Sequence, residues 1–291
     1  MATDTSRGAI DTTRDVPARK AERRSSHDRP AVVFDKVSLA FDEKVVLTEI
    51  SFSLLPGHTK IILGASGSGK STVLKLILGL LKPDGGQIWV NGVRADTMSE
   101  VALMKVRNHL GMVFQEGALF DSLTVAENVG YKLYEETDMP LDEVRHRVEE
   151  VLGFVRLSEY IDSMPSELSG GQRRRVAIAR AMAFKPPTLL YDEATTGLDP
   201  ITATTVDEEI MKLRDLENVS SIVVTHQLRD AFLIATHEAV RDGDGIQVVT
   251  ADAKKCDEAE FIMLKDGLIA FEGNAAELRA STDPYIRKFL S

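Results

Sequence analysis

The sequence predicts an α/β fold, and three observations support that prediction. Residues 64–71 read GASGSGKS; they follow a short apolar run at 59–63 and precede an apolar pattern of helical spacing at 73–81. Two later apolar runs, 188–192 and 220–225, lead into polar residues, as buried parallel strands do. The chain has 291 residues, 43% of them hydrophobic, which suffices for one large domain with a buried sheet and a modest second lobe.

The individual elements follow from the same patterns in chain order. The predicted strands are 31–37 and 45–54, which pair, and then 59–63, 87–91, 110–114, 188–192 and 220–225. The predicted helices are 73–81, 101–107 and 172–184, together with a largely helical stretch, 125–160, that is broken near 138–140. A linker at 163–166 ends that stretch, which therefore forms a candidate helical lobe.

The first 30 residues differ from the rest in composition. Residues 1–30 mix Arg, Asp, Ser and Thr with almost no apolar side chains, so we expect them to be disordered. They contain no hydrophobic segment of the kind found in secretory signals, and their acidic residues disfavour an organelle transit peptide.

The glycine-rich turn at 64–71 satisfies the spacing G-x-x-x-x-G-K-[ST]. In such a turn the backbone N–H groups bind phosphates, while the lysine ammonium and the serine hydroxyl complete the charge balance. The strand before the turn and the helix after it are the context that this motif requires. The sequence therefore predicts binding of ATP or GTP with magnesium.

Three further motifs follow the turn. Residues 168–172 read LSGGQ and open the predicted helix 172–184, so their backbone N–H groups and the Ser169 hydroxyl either bind a phosphate or form an ordinary helix N-cap. The run 188–193, TLLYDE, ends in two carboxylates, of which Asp192 has the position of a magnesium-holding aspartate and Glu193 that of a residue that orients or deprotonates water. His226 follows the run 220–225, where a histidine taken alone is more often structural.

In this order the four motifs resemble those of the ATP-binding subunits of ABC transporters over residues 31–291. The resemblance implies the ABC ATPase fold: an α/β P-loop NTPase core with a mixed central sheet, an antiparallel β subdomain and an inserted helical subdomain at about 116–184. It also implies an ATPase that uses ATP and Mg²⁺.

By the same resemblance, the site residues fall into three groups. The nucleotide-binding residues are Phe41, Gly64, Ser66, Gly67, Gly69, Lys70, Ser71, Thr72, Ser169, Gly170, Gly171, Gln172 and Asp199. The catalytic residues are Lys70, Gln115, Glu193 and His226. The magnesium ligands are Ser71, Gln115 and Asp192.

Some of these assignments have structural alternatives. Phe41, implied to stack on the adenine, is also compatible with an ordinary strand aromatic. Asp199, implied to lie in the loop that crosses between subunits, also suits a helix N-cap before Pro200. The assignment of Gln115, implied to contact magnesium and water, rests on its position after the predicted strand 110–114.

The implied partners are a second copy of the chain and a membrane permease. Two copies would meet head to tail, so that Ser169, Gly170 and Gly171 of one complete the nucleotide site of the other. The permease would be contacted near Leu119–Asn128, although the apolar residues there are equally suited to packing the helical lobe. The implied location is the cytoplasmic face of the inner membrane, through the permease.

The segments 114–129 and 283–290 are similar to those of the Mla/Mce-type lipid transport ATPases. This resemblance implies phospholipid as cargo and a lipid-binding substrate protein as a further partner. Two features depart from it. Methionine is frequent in those subunits at the position of Gln172. The segment 237–260 is longer than usual, and its residues 242–245 are predicted to form the turn of a hairpin insertion rather than a calcium loop.

Composition excludes several classes. The longest apolar stretch, 73–81, is far shorter than the roughly 20 residues that span a bilayer, so any membrane role must come through partners. The net charge of −10 argues against a general nucleic-acid binder, and Arg173, Arg174 and Arg175 are predicted to form a solvated helix face. The single Cys256 excludes an intrachain disulfide and fits a reducing compartment.

Other functions remain open at the level of sequence. The ATPases of amino-acid importers and of cell-division-type permeases share the same core motifs. A soluble translation-associated ATPase would carry two motif sets, and a chromosome-type relative would carry long heptad segments; neither feature occurs here. An ordinary P-loop kinase has no use for residues 168–172.

Overall fold

In the computed structural model, which describes residues 29–243 and 245–291, twelve strands form three β-sheets. The predicted disordered segment, 1–30, lies outside the described residues except for its last two. The strands are β1 Val32–Phe41, β2 Lys44–Leu54, β3 Thr59–Gly64, β4 Gly85–Val90, β5 Val93–Arg94, β6 Leu110–Val113, β7 Thr188–Asp192, β8 Ser220–Val224, β9 His237–Asp242, β10 Gly245–Thr250, β11 Ala259–Lys265 and β12 Leu268–Gly273.

Ten α-helices in the described part of the chain surround these sheets. They are α1 Lys70–Ile77, α2 Glu100–Arg107, α3 Val125–Glu136, α4 Leu141–Phe154, α5 Gly170–Ala183, α6 Pro200–Glu217, α7 Leu228–Thr236, α8 Ala253–Cys256, α9 Ala275–Ala280 and α10 Pro284–Leu290. None of these described helices has the length and hydropathy required to cross a bilayer.

The central sheet has six strands in the order β12-β11-β3-β8-β7-β6. Strands β11, β3, β8, β7 and β6 are parallel, and β12 is antiparallel to β11, so the predicted mixed sheet is confirmed. Every residue of β3 is buried, as expected for a strand covered on both faces. Because the carboxyl ends of parallel strands lie at one edge, the residues that follow β3, β6, β7 and β8 are brought together there.

A second sheet is antiparallel, with strand order β2-β1-β4-β5. Its buried side chains, including Phe34 and Phe52 with ring centroids 4.6 Å apart, join Ile62 of β3 and the apolar residues of α1 in one core. On the other face of the central sheet, Ile61 and Leu63 join a larger core with helices α3 to α7. The alternation of side chains along β3 therefore separates the two cores.

Helices α3, α4 and α5 pack against one another between β6 and β7 in the sequence. A capping box begins α3, in which the Thr124 hydroxyl accepts from Glu127 N at 3.2 Å and the Glu127 carboxylate accepts from Thr124 N at 2.7 Å. The assignment of 116–184 as a separate helical subdomain of a domain at 31–291 stays a prediction.

The first helix is displaced relative to the sequence prediction of 73–81. It begins at Lys70, because Lys70, Ser71 and Thr72 form its first turn although the apolar spacing starts only at Val73. It ends at Ile77, where the Leu80 N–H donates to Lys75 O at 2.9 Å and closes the helix with a turn. Apolar spacing therefore missed both ends, because the first turn carries polar residues and the leucines beyond Ile77 belong to the closing turn.

Strands β9 and β10 form an antiparallel hairpin in which Asp242 pairs with Gly245. A buried ion cluster attaches this hairpin to α6: Arg214, 3% exposed, donates to Asp215 and to His237 O. Asp215 also accepts from Ala239 N at 2.8 Å and lies 3.0 Å from the Lys255 ammonium. These bonds fix the base of the hairpin on the domain. The extent of the insertion, 237–260, stays a prediction.

Two carboxyl groups meet in the core between α6 and α7. Asp207 is 1% exposed and Asp230 is 2% exposed, and no hydrogen bond from another described residue reaches any of their four carboxyl oxygens. Burial, reinforced by the neighbouring Asp230 and opposed by Arg229, raises the pKa of Asp207 from its ordinary 3.8 to about 8. The folded protein therefore holds a proton at this pair near neutral pH.

We predict that Asp207→Asn flattens the pH dependence of stability. The unfolded chain loses the Asp207 proton near pH 3.8, whereas the folded protein keeps it until about pH 8, so stability falls as the pH rises through this window. One proton contributes a slope of about 1.4 kcal/mol per pH unit, which the amide removes. Chemical unfolding between pH 5 and 8 measures the slope, with the exposed Glu217→Gln on the same helix as control. An unchanged slope would contradict the shared proton.

Candidate active site

The glycine-rich turn lies at the carboxyl end of β3 and leads directly into α1. Gly67 has φ +79°, which favours glycine, and no described atom would lie within 4 Å of a Cβ at this position, so its backbone faces open space. The Lys70 ammonium, on a side chain that is 5% exposed, donates to Gly64 O at 3.0 Å and to Ala65 O at 3.2 Å. The turn is thus wrapped around a buried cation, as phosphate binding requires.

Burial also affects the charge of this lysine. Desolvation lowers the pKa of Lys70, and the carboxylates of Glu193 and Asp192 partly offset it. The Glu193 carboxylate lies 3.8 Å from the Lys70 ammonium. An ammonium with so little water around it interacts more strongly with a phosphate than one in bulk solvent.

A pair of oxygen donors beside the turn fits magnesium. The Ser71 hydroxyl donates to Asp192 Oδ1 at 2.8 Å, which links the start of α1 to the end of β7. Burial raises the pKa of Asp192, and the Ser71 hydrogen bond opposes this effect. Across the described residues no three His, Cys, Asp or Glu side chains form a metal cluster. One carboxylate and one hydroxyl are what Mg²⁺ takes when phosphates and waters supply its other ligands.

Glu193 follows β7 with a left-handed backbone, φ +50°, which is uncommon for a residue other than glycine and is typical of functional sites. Its N–H donates to Val224 O of β8 at 2.9 Å. Its carboxylate lies 3.2 Å from His226 Nδ1 and accepts from the Thr196 hydroxyl at 3.1 Å. The structure therefore brings Lys70, Glu193 and His226 together from three parallel strands.

The remaining residues predicted near the turn lie as follows. Ser66 is exposed on the turn, Thr72 is half-buried on α1, and Phe41 is 47% exposed at the end of β1, paired across the hairpin with Lys44. Gln115 is exposed just after β6, and no hydrogen bond among the described residues joins its side chain to the others. The structure thus places Gln115 near the same sheet edge without a direct contact.

The LSGGQ run begins α5. Ser169 is the N-cap, since its hydroxyl accepts from Gln172 N at 3.3 Å and its own N–H donates to Gln172 Oε1 at 2.7 Å. Gly171 is buried, and a Cβ there would lie 2.0 Å from Thr202 Cγ2, so this glycine permits close packing of α5 on α6. Ser169 is exposed and Gly170 half-buried, which leaves the tip of the run accessible. The capping alternative therefore holds, and it is compatible with phosphate binding.

Asp199 forms the N-cap of α6, where one carboxylate oxygen accepts from Ile201 N and Thr202 N, each at 3.1 Å. These two bonds and Pro200 at the first helical position match the capping alternative. The loop that carries Asp199 nevertheless remains exposed.

The predicted solvated arginine face is wrong. Arg174 is 8% exposed, and each of the three arginines donates to a backbone carbonyl. Arg174 donates to Phe114 O and to Thr196 O, both at 3.4 Å, so it connects α5 to the loops that carry Gln115 and Glu193. Since consecutive helical residues point about 100° apart, three in a row cannot all face solvent. That signal was present in the sequence.

Three features define a P-loop nucleotide hydrolase. They are a phosphate-binding turn at the end of a buried strand, a Ser-Asp oxygen pair, and a glutamate that lies between a lysine and a histidine. The comparisons with known proteins specify the family. Residues 47–196 match the family described as ABC transporter. The chain belongs to this family. It is an ATPase, and it uses ATP with Mg²⁺.

Several relatives align with most of the chain. The chloroplastic protein TRIGALACTOSYLDIACYLGLYCEROL 3 of Arabidopsis thaliana is 36% identical over 86% of this chain and 70% of its own length. The intermembrane phospholipid transport system ATP-binding protein MlaF of Escherichia coli K12 is 35% identical over 87% and 86%. The sulfate/thiosulfate import ATP-binding protein CysA of Gloeobacter violaceus is 36% identical over 89% and 74%.

A solved structure has the same fold. The dimeric structure of a post-hydrolysis state of an ATP-binding cassette, bound to ADP and Pi, is similar with a TM-score of 0.69 at 30% identity. The alignment covers 84% of this chain and 98% of that one. The predicted ABC ATPase fold class is therefore confirmed.

Proposed function

We propose that the chain is the ATP-hydrolysing subunit of an ABC transporter that moves phospholipid across or between bacterial membranes. The hydrolytic part rests on one observation: Glu193 lies within 3.8 Å of the Lys70 ammonium and 3.2 Å of His226, beside the Ser71–Asp192 pair. The lipid part rests on the similarity of 114–129 to lipid transport ATPases and on the relative that is named a phospholipid transport protein.

Each residue of the site contributes to phosphoryl transfer through its position and its charge. Lys70 and the turn amides bind the β and γ phosphates, and Ser71, Asp192 and Gln115 would hold Mg²⁺. Bound magnesium supplies charge neutralisation between the phosphates. Glu193 orients the attacking water and accepts its proton, and His226 contacts the γ-phosphate.

The left-handed backbone of Glu193 aims its carboxylate, because the N–H bond to β8 and the Thr196 hydroxyl bond fix both ends of the residue. Positioning of this kind lowers the activation barrier of hydrolysis, because the carboxylate is already oriented when the reaction begins.

The proposed working form is a head-to-tail homodimer with two ATP sites. Three features support it: Ser169 is exposed at the positive end of α5, the Asp199 loop is exposed, and the similar cassette bound to ADP and Pi is dimeric. In this arrangement Ser169, Gly170 and Gly171 of one copy complete the site of the other.

The proposed permease surface is narrower than Leu119–Asn128. Val125, Ala126 and Asn128 are buried, and Leu119 is partly buried against the larger core, so these residues pack the helical lobe. Phe120 is 44% exposed, and its ring lies 4.8 Å from that of Tyr131.

The buried Asn128 side chain fixes the backbone of Phe120. It accepts from Phe120 N at 2.8 Å and donates to Phe120 O at 3.0 Å. A rigidly presented pair of exposed aromatic rings suits a membrane partner's apolar helix. The chain would then lie at the cytoplasmic face of the inner membrane, with a lipid-binding substrate protein as a further partner.

We predict that Phe120→Asp with Tyr131→Asp abolishes co-purification with the co-expressed permease and leaves basal ATP hydrolysis within about twofold, because buried apolar anchors dominate such interfaces. Leu141→Asp, a 74% exposed position on α4, is the matched control and should keep the complex. Intact assembly of the double variant would reject this placement.

The cargo is tested on the intact membrane complex. Mass spectrometry of molecules co-extracted with the complex should find phospholipid enriched over the surrounding membrane, and ATP should release it. The second candidate, a solute importer, is favoured by the 36% identity to the sulfate import relative. ATP-dependent uptake of sulfate or an amino acid into vesicles, without lipid enrichment, would replace the lipid proposal.

A further inference from the structure

A cavity of about 300 Å³ lies beside the phosphate-binding turn. Three segments line it. The first wall is the turn itself at Ser66, Gly67 and Ser68, and the second is the β1–β2 hairpin at Lys44–Val46. The third wall is the β11–β12 turn together with Tyr285 of α10. The third wall comes from the last quarter of the chain, outside the segment that matches the family.

The third wall is held in place from two sides. Gly267 O accepts from Thr48 N of β2 at 2.8 Å, which ties the β11–β12 turn to the antiparallel sheet. Asp283 caps α10 by accepting from Tyr285 N at 2.8 Å, and the Tyr285 ring packs against the larger core. The Lys265 ammonium lies 4.7 Å from the centroid of the Tyr285 ring, within the range of a cation–π contact.

The chemistry of the cavity matches a nucleoside. If the turn binds the phosphates of ATP, the adjoining space is where the nucleoside attached to those phosphates can lie. The other walls offer two aliphatic side chains, Val45 and Val46, one aromatic ring, two ammonium groups, Lys44 and Lys265, and one carboxylate, Asp266. Phe41, the residue predicted to stack on the adenine, pairs across the hairpin with Lys44, which lines the cavity.

We propose that Lys265 and Tyr285 form a second wall of the nucleoside subsite. The Tyr285 ring contacts the base or ribose from the side opposite the β1–β2 hairpin, and the Lys265 ammonium orients the ring through its cation–π contact. Helix α10 is then part of the ATP site and not only a cap on the fold. This inference depends on ATP binding and is independent of the transported cargo.

The test compares two ligands that share the phosphates and differ in the nucleoside. Calorimetric titration of the full chain with ATP and with inorganic tripolyphosphate separates contacts to the nucleoside from contacts to the phosphates. Because a base stacked on an aromatic ring contributes about 1–3 kcal/mol, Tyr285→Ala should weaken ATP binding by about tenfold and change tripolyphosphate binding by less than about twofold. Tyr285→Phe, which keeps the ring, should bind ATP within about twofold of the wild type, since the ring carries the contact.

Two further variants keep the inference falsifiable if Tyr285→Ala folds poorly. Lys265→Ala, at an exposed position, should weaken ATP binding by about threefold because it removes a cation beside the ring. Lys288→Ala, an exposed lysine on α10, is the matched control and should bind both ligands as the wild type does. Wild-type ATP affinity in both Tyr285→Ala and Lys265→Ala overturns the inference, and so does an equal loss for ATP and tripolyphosphate in Lys265→Ala.

Discussion

Glu193→Gln should retain ATP binding and lose ATP hydrolysis by about 10²–10³-fold, because general-base catalysis and water positioning contribute at this level. The substitution keeps the size and hydrogen-bonding shape of the side chain, so the contacts with Thr196 and His226 persist. It removes the basic oxygen that accepts the proton. ATP then stays bound at a site that cannot turn over, and the head-to-tail dimer should accumulate.

Two measurements separate this outcome from a folding defect. Gel filtration with ATP and Mg²⁺ should show a dimer for Glu193→Gln under conditions in which the wild type returns to monomer. Steady-state phosphate release measures turnover. The exposed Glu217→Gln on α6 removes a comparable charge elsewhere and should behave as the wild type. Turnover near the wild-type rate in Glu193→Gln would remove this residue from the role proposed for it.

The sequence predicted the parts of the site whose structure is local. The turn at 64–71 could be placed because its glycines, lysine and serine have fixed spacing and because an apolar strand and a helix flank it. The predicted strands 59–63, 188–192 and 220–225 agree with β3, β7 and β8 to within one residue. Fully buried parallel strands give continuous apolar runs, which are the clearest strand signal in a sequence.

Features that depend on distant contacts could not be predicted in the same way. The Ser71–Asp192 hydrogen bond joins residues 121 positions apart, and spacing alone does not pair them. The left-handed backbone of Glu193 is set by its bond to β8, and glutamate carries no local signal for it. Strand β5 has two residues, too few to show a period. Tyr285 lines the cavity beside the turn although it lies more than 200 positions later in the chain, on α10, after the strand β11 that pairs with β3.

Charge was the least reliable guide to exposure. Arg174 was assigned to solvent by its residue type, yet its guanidinium lies buried between the loops that carry Gln115 and Glu193. Desolvation lowers the pKa of Arg174, with Glu116 as the nearest compensating charge. Burying a cation is costly unless it is paired, and the bonds to two backbone carbonyls together with the charge of Glu116 offset part of this cost.

Glu193 and Lys70 lie side by side, but replacing each of them should affect ATP affinity and turnover differently. In the proposed mechanism Glu193 acts on the attacking water, so its loss should affect turnover and leave affinity intact. Lys70 acts on the phosphates themselves, so its loss affects both. The carboxylates of Glu193 and Asp192 raise the pKa of this lysine and so oppose the effect of burial.

Lys70→Ala should therefore weaken ATP binding by more than tenfold and reduce hydrolysis by about 10²–10³-fold, the range seen when one preorganised charge is removed from a developing negative charge. It also leaves Gly64 O and Ala65 O without the donor that now holds the turn closed. Lys70→Arg should fail as well, because a planar guanidinium does not fit a side-chain position that is 5% exposed.

Fluorescent-nucleotide titration and phosphate release measure the two effects of Lys70→Ala separately. Lys82→Ala, an exposed lysine beyond the end of α1, is the control and should leave both unchanged. Comparison with Glu193→Gln provides the decisive contrast: loss of binding in one variant and retained binding in the other. If Lys70→Ala binds ATP as tightly as Glu193→Gln does, the phosphates do not lie in the turn, because no other ammonium within it could replace the one removed.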